Sequence, residues 1–141
     1  MIGLRRAACM LTVASVLSLV GCVSSQFMPV GEMTYAPRPD DYLIDIYLPT
    51  EAPVVVHKQV ANAKPLSELR AGAKVIGRID TQGAPAAGWG SLFEDAKRKA
   101  RTLGGDAIVV RQWGNPLVAV DRYGGTQYGK AISMEVVRFR N

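Results

Sequence analysis

Cysteine and histidine are scarce in this chain: two cysteines and one histidine among 141 residues. Cys9 sits in an apolar stretch near the amino terminus. If that stretch is removed, Cys22 is the one thiol left. A disulfide within the remaining chain and a thiolate metal cluster are then both excluded. With one histidine, His57, neither a catalytic triad nor a zinc site finds the partners it needs, so His57 reads as a solvent-facing or strand-end residue. A spaced Asp-x-Asp-x-Asp-Gly calcium loop is also missing. Residues 83–90 are rich in glycine but lack the Gly-Lys-Ser/Thr ending of a phosphate loop. No cofactor, metal or catalytic residue is assigned.

Charge of one sign is modest. There are 17 basic and 12 acidic residues. Setting aside Arg5 and Arg6 leaves 15 basic residues, about +3, which gives no basis for nucleic-acid binding. Fourteen glycines and eight prolines favour turns and short strands over a helix bundle. The chain is long enough for one domain with one modest core.

Arg5 and Arg6 precede a continuous apolar run on the order of 12–15 residues, short of the roughly 20 needed to span a bilayer. A basic flank, a short apolar core and a small residue before a cut are the parts of an export signal. The run ends in Leu19-Val20-Gly21-Cys22. These four residues resemble the lipobox of bacterial lipoproteins. The resemblance implies a diacylglycerol on the Cys22 sulfur, cleavage between Gly21 and Cys22, and acylation of the new amino group, commonly with palmitate. The partner it implies is a membrane, reached through the N-terminal lipid. Val23 and Ser24 follow the cysteine with no Asp, which in Gram-negative lipoproteins implies the outer membrane, with the domain facing the periplasm.

Residues 22–39 hold Pro29, Gly31, Pro37 and Pro39 without sustained periodicity, and read as a flexible tether. Residues 40–141 read as one α+β domain. A strand is expected over 41–48, with Tyr42, Ile44, Ile46 and Leu48 on one face and Asp45 on the solvated one. Asp40, Asp41 and Asp45 are therefore not taken as paired catalytic carboxylates. Val54-Val55-Val56 reads as a short extended piece, and a loop carries Asn62, Lys64 and Pro65. The next strand covers 74–80, with Val75 and Ile79 on one face and Gly77 between them marking close approach by a neighbour.

Ser91 as N-cap and Glu94 three residues on form a capping box. Leu92, Phe93, Ala96, Ala100 and Leu103 then make a helical stripe, with Lys97, Arg98 and Arg101 opposite it and Gly104-Gly105 as the stop. Strands follow at 107–110, 117–120 and 128–139, joined as hairpins. The expected architecture is one small, mostly antiparallel sheet with a single helix on one face, in a strand-helix-strand-strand-strand core. Its core draws on Ile44, Ile46, Val75, Ile79, Leu92, Phe93, Leu103, Ile108, Val110, Val118, Ile132 and Val136.

Three stretches carry a second resemblance. They are Val75-Ile76-Gly77-Arg78-Ile79, the helix end Leu103-Gly104-Gly105-Asp106-Ala107-Ile108-Val109, and Tyr128-Gly129-Lys130-Ala131. Over roughly residues 73–137 the chain resembles the small YbjQ-like bacterial domains and the related core of the Rcs envelope-stress sensor lipoprotein. The sensor's domain disulfides and the ligands of a heavy-metal site are both missing here, so neither activity carries over. Asp106, which follows two glycines, reads as a turn or cap residue rather than a catalytic acid.

Lys97, Arg98, Lys99 and Arg101 form a basic helical patch, which reads first as a solvated face; the functional alternative is contact of Lys97, Arg98 and Arg101 with anionic headgroups or a partner. Trp89 and Trp113 are core edges or anchors for another envelope protein. The leading expectation is a non-enzymatic binding or structural role. An envelope-stress sensor is the alternative and an enzyme the third class.

Overall fold

The computed structural model describes residues 22–139. Residues 1–21, which the sequence pattern reads as a signal peptide, lie outside the described residues. The elements in chain order are β1 (Val23–Pro29), β2 (Asp45–Leu48), α1 (Val54–Gln59), β3 (Ala63–Pro65), a 3-10 turn (Leu66–Glu68) and β4 (Lys74–Gly83). They continue with α2 (Trp89–Thr102), β5 (Ala107–Gly114), β6 (Leu117–Val120), β7 (Thr126–Tyr128) and β8 (Lys130–Arg138).

The class is α+β, as the sequence pattern indicates, but the sheet is mixed and larger than expected. Six strands lie in the order β1-β4-β8-β5-β2-β3, and β6 and β7 form a separate two-stranded sheet. The β1–β4, β4–β8 and β5–β8 pairs are antiparallel, while β2–β3 and β2–β5 are parallel. Parallel neighbours need a long crossover. The chain between β2 and β5 supplies one by running through α1, β4 and α2.

The tether expected over 22–39 is part of the fold. β1 pairs along its whole length with β4, from Val23 opposite Gly83 to Pro29 opposite Gly77. Its inward row is Val23, Ser25 and Phe27, and the polar Ser25 breaks the apolar alternation that would mark a strand. Ser25 is held from within, because its hydroxyl lies 2.7 Å from that of Thr81 and also donates to Asp95 of α2. Residues 35–42 are strapped to the end of α2: Arg38 N–H donates to the Arg101 carbonyl at 2.8 Å, and Arg101 Nε donates to the Tyr42 carbonyl at 2.8 Å.

The three valines at 54–56 begin a helix instead of a strand. Only Val56 reaches the core, while Val54 and Val55 stay exposed, so tertiary anchoring through one side chain overrides β propensity. α2 starts two residues before the expected cap. Gly88 is its N-cap, no side chain caps it, and Ser91 is an exposed first-turn residue. The capping-box reading of Ser91 and Glu94 is therefore incorrect. The orphan amide of Trp89 is met from outside by Gln59 Oε1 at 3.1 Å.

The stop at Gly104-Gly105 is as expected. Gly104 has φ +77, and its N–H donates to the Arg101 carbonyl while that of Gly105 donates to the Ala100 carbonyl, a Schellman pair. An added Cβ at Gly104 would also sit 2.6 Å from the Ala36 carbonyl oxygen.

One core lies between α2 and the sheet. Leu92, Phe93, Ala96 and Ala100 pack on Ile79, Ile108, Val110, Ile132, Met134 and Val136, all essentially inaccessible. Burying Phe93 or Leu92 is worth about 1.5–3 kcal/mol each. The other face carries a smaller cluster of Tyr47, Ala107, Val109 and Val137, covered by Leu66, Leu69 and Phe139.

Val75 belongs to that second cluster. A bulge at Ile76 shifts the β4–β8 register between Val75 and Gly77, so Val75 and Ile79 point to opposite faces, against expectation. Gly77 does mark a close approach, because an added Cβ would overlap the Phe27 ring of β1. Leu103 is half-buried at the core edge.

Residues 117–120 do not continue the main sheet. β6 pairs with β7, and the final strand is broken at Gly129 into β7 and β8. Val118 is exposed rather than buried.

Candidate functional site

Register fixes the surroundings of Cys22. Val23 pairs with Gly83, Gly83 with Lys130, and Gly114 with Ala131. The start of β1, the end of β4, the start of β8 and the end of β5 thus share one end of the sheet. Cys22 is exposed there, and its carbonyl accepts from the Ala84 N–H at 3.0 Å. The loop at 84–88 and the start of α2 lie at the same end. Gly21 lies outside the described residues.

The five residues expected to touch a headgroup or partner do not form one patch. Lys97 is 4% exposed, and its Nζ donates to the Ala61 carbonyl at 3.2 Å and pairs with Glu94 at 3.0 Å. Its place opposite the buried stripe is therefore corrected: α1 and the following loop close over that side of the helix. Arg101 is committed to Tyr42. Arg98 keeps an exposed guanidinium, paired with Asp95 at 3.0 Å. Trp89 is a core residue at 5% exposure, with Lys130 Nζ 5.9 Å from its ring centre. Trp113 is half-buried on β5, beside an open cleft of about 560 Å³.

That cleft holds a polar side-chain cluster on the face away from α2. Arg78 NH2 donates to Ser133 Oγ at 2.7 Å, and Ser133 Oγ donates to Asp80. A serine nucleophile needs a base able to take its proton. The lone histidine, His57, is exposed on α1, on the opposite face of the sheet. No group of three metal-ligating side chains occurs among the described residues. Asp45 is half-buried and bridged to Lys64 at 2.8 Å, and its strand face is not the solvated one expected, because Tyr47 two residues on is buried against Leu66 and Leu69.

Asp106 is a junction residue, and it does more than turn the chain. Its Oδ1 accepts from Arg38 NH2 and from the Tyr42 hydroxyl, each at 2.7 Å, and its Oδ2 accepts from the Phe139 N–H at 2.9 Å. One nearly buried carboxylate ties the 35–42 strap, the end of α2 and the last strand together. Sequence reasoning found Asp106 but not its partners, since the spacing of Arg38 and Tyr42 carries no periodic signal.

The hydrogen bond to Asp106, then burial and the adjacent negative charge, raise the Tyr42 pKa above its ordinary value. A raised phenol pKa means that the folded state holds the proton more tightly. That contribution to stability is complete below the ordinary pKa of about 10 and is lost as pH rises through the higher folded value. Urea unfolding measured across alkaline pH should show this loss, and Tyr42→Phe should flatten that part of the profile.

No protein-family model and no curated protein matches the chain. Among solved structures, the chain is similar to the crystal structure of a Francisella virulence factor, FvfA. The identity is 10% and the TM-score 0.49, and the match covers 81% of this chain and 97% of that one.

Proposed function

We propose that the chain is a bacterial envelope lipoprotein, cut before Cys22 and held on a membrane by lipid on that residue. The observation that carries the reading is Leu19-Val20-Gly21-Cys22 at the end of a short apolar run behind Arg5 and Arg6. The placement of Cys22 supports it. The residue is exposed and directly precedes β1, so cleavage at that point leaves every described strand and helix intact. The residues after Cys22 favour the outer membrane, with the domain facing the periplasm. Two or more acyl chains give stable attachment, at about 0.8 kcal/mol per buried CH₂.

The domain's role on the membrane is non-enzymatic, either binding or supporting another envelope component. The cleft beside Trp113 is open, and its serine hydroxyl is aimed at a carboxylate that already receives an arginine. A second reading, an envelope-stress sensor, draws on the β4–α2–β5 order and the Gly104-Gly105-Asp106 junction.

Intact-mass measurement of the protein extracted from native membranes tests the anchor. The expected product begins at Cys22 and carries a diacylglycerol with an added acyl chain. A mature chain beginning elsewhere, or one without lipid, overturns the reading.

A further inference from the structure

The hairpin formed by β6 and β7 is built like a surface element that has lost its cover. Among the described residues, five of the eleven exposed large apolar or tyrosine side chains lie within it: Leu117, Val118, Val120, Tyr123 and Tyr128. Every residue of both strands is exposed, so among the described residues neither face has a covering layer. A lone two-stranded hairpin is marginal in water without an apolar face packed on something.

Its place in the fold indicates what covers it. The hairpin springs from the start of β8 and the end of β5, the same end of the sheet that bears Cys22. With strands about 4.8 Å apart, its roots stand roughly 10–15 Å from the start of β1. Its chemistry suits a headgroup region. Aliphatic side chains accompany two tyrosines, the residue type enriched at membrane–water boundaries. The Arg122 guanidinium lies 4.9 Å from the Tyr123 ring centre, and Lys130 stands at the root. The one carboxylate, Asp121, is turned inward: its Oδ1 accepts from the Tyr123 and Gly125 N–H groups, each at 2.8 Å. Basic groups close to a bilayer gain from anionic lipid.

We propose that this hairpin is a second membrane contact, seated in the headgroup region of the bilayer that holds the Cys22 lipid. The proposal rests on lipidation of Cys22. Two attachments at one end of the sheet fix the domain's orientation, where a single lipidated residue would let it swivel.

The test uses the full chain, processed by its host and reconstituted in vesicles of phosphatidylethanolamine and phosphatidylglycerol. Tyr123 is 83% exposed, so Tyr123→Cys leaves packing untouched. Lys99→Cys, exposed toward the far end of α2, is the reference position. Each thiol carries an environment-sensitive dye, and the vesicles contain lipids brominated near the headgroup. The expected result is a blue shift and quenching at position 123 and neither at position 99. Equal emission and equal quenching at the two positions, in protein whose intact mass includes the lipid, overturns the hairpin contact and leaves the anchor standing. Crosslinking of position 123 to a second copy or another protein, without quenching, also overturns it. Protein whose mass lacks lipid overturns the anchor itself.

Discussion

Replacing Cys22 with serine is expected to abolish palmitate labelling and, behind an ordinary cleavable export signal, to move the protein from the membrane fraction to the soluble periplasmic fraction. The expected change is close to all-or-none. Two or three acyl chains hold a protein far more firmly than any surface contact, whereas one chain alone binds only marginally. The hairpin buries too little apolar surface to replace them, so any residual association of the serine variant should be weak and should fade as salt is raised. The measurement is radiolabelled palmitate uptake together with fractionation. A serine variant that still takes up label, or that stays membrane-bound in high salt after signal cleavage, would sink the lipoprotein reading.

The second large effect belongs to stability. Asp106→Ala should cost about 2–4 kcal/mol, because it removes three hydrogen bonds at once and leaves Arg38, Tyr42 and the Phe139 amide without their acceptor. Arg38 keeps about a quarter of its side chain in solvent, which holds the cost below that of a fully buried pair. Urea unfolding of the domain from residue 22 onward reads the change. Asp45→Ala serves as the contrast. It also breaks an ion pair, with Lys64, but one exposed to water and worth under about 1 kcal/mol. Equal costs for the two variants would mean that the Asp106 cluster does not hold the strap.

The parts of the fold legible in the sequence are those whose signal is local. The stripe of Leu92, Phe93, Ala96 and Ala100, the stop at Gly104, the apolar run at 107–110 and the alternation through Ile132, Met134 and Val136 all depend on near neighbours. The rest depends on partners far away in the chain. β1 was hidden because Ser25 takes an inward position that only Thr81 and Asp95 make acceptable. α1 was hidden because three valines favour extended backbone until Val56 is drawn into the core. The parallel pairing of β2 with β5 leaves no mark in either strand.

Lys97 looked solvated because its four-carbon stem and single charge fit either side of a helix. Its burial depends on the Ala61 carbonyl, 36 positions away. Leu117 to Val120 shows the converse case, since an apolar run reads as buried whether a protein core or some other surface receives it. The reading of Cys22 rests on the short linear stretch Leu19-Val20-Gly21-Cys22 alone.

β1 begins at the residue immediately after Cys22, and β4 pairs with it along its full length. This sets the protein's reach. A lipoprotein on a long linker can sweep through the space beneath its membrane and meet partners far from it. Among the described residues the ten-residue β4 is the longest strand, so the sheet extends only about 33 Å. If Cys22 carries the proposed lipid and the β6–β7 hairpin the proposed contact, a partner must come to within one domain's height of the lipid surface and would find the same face of the domain presented each time.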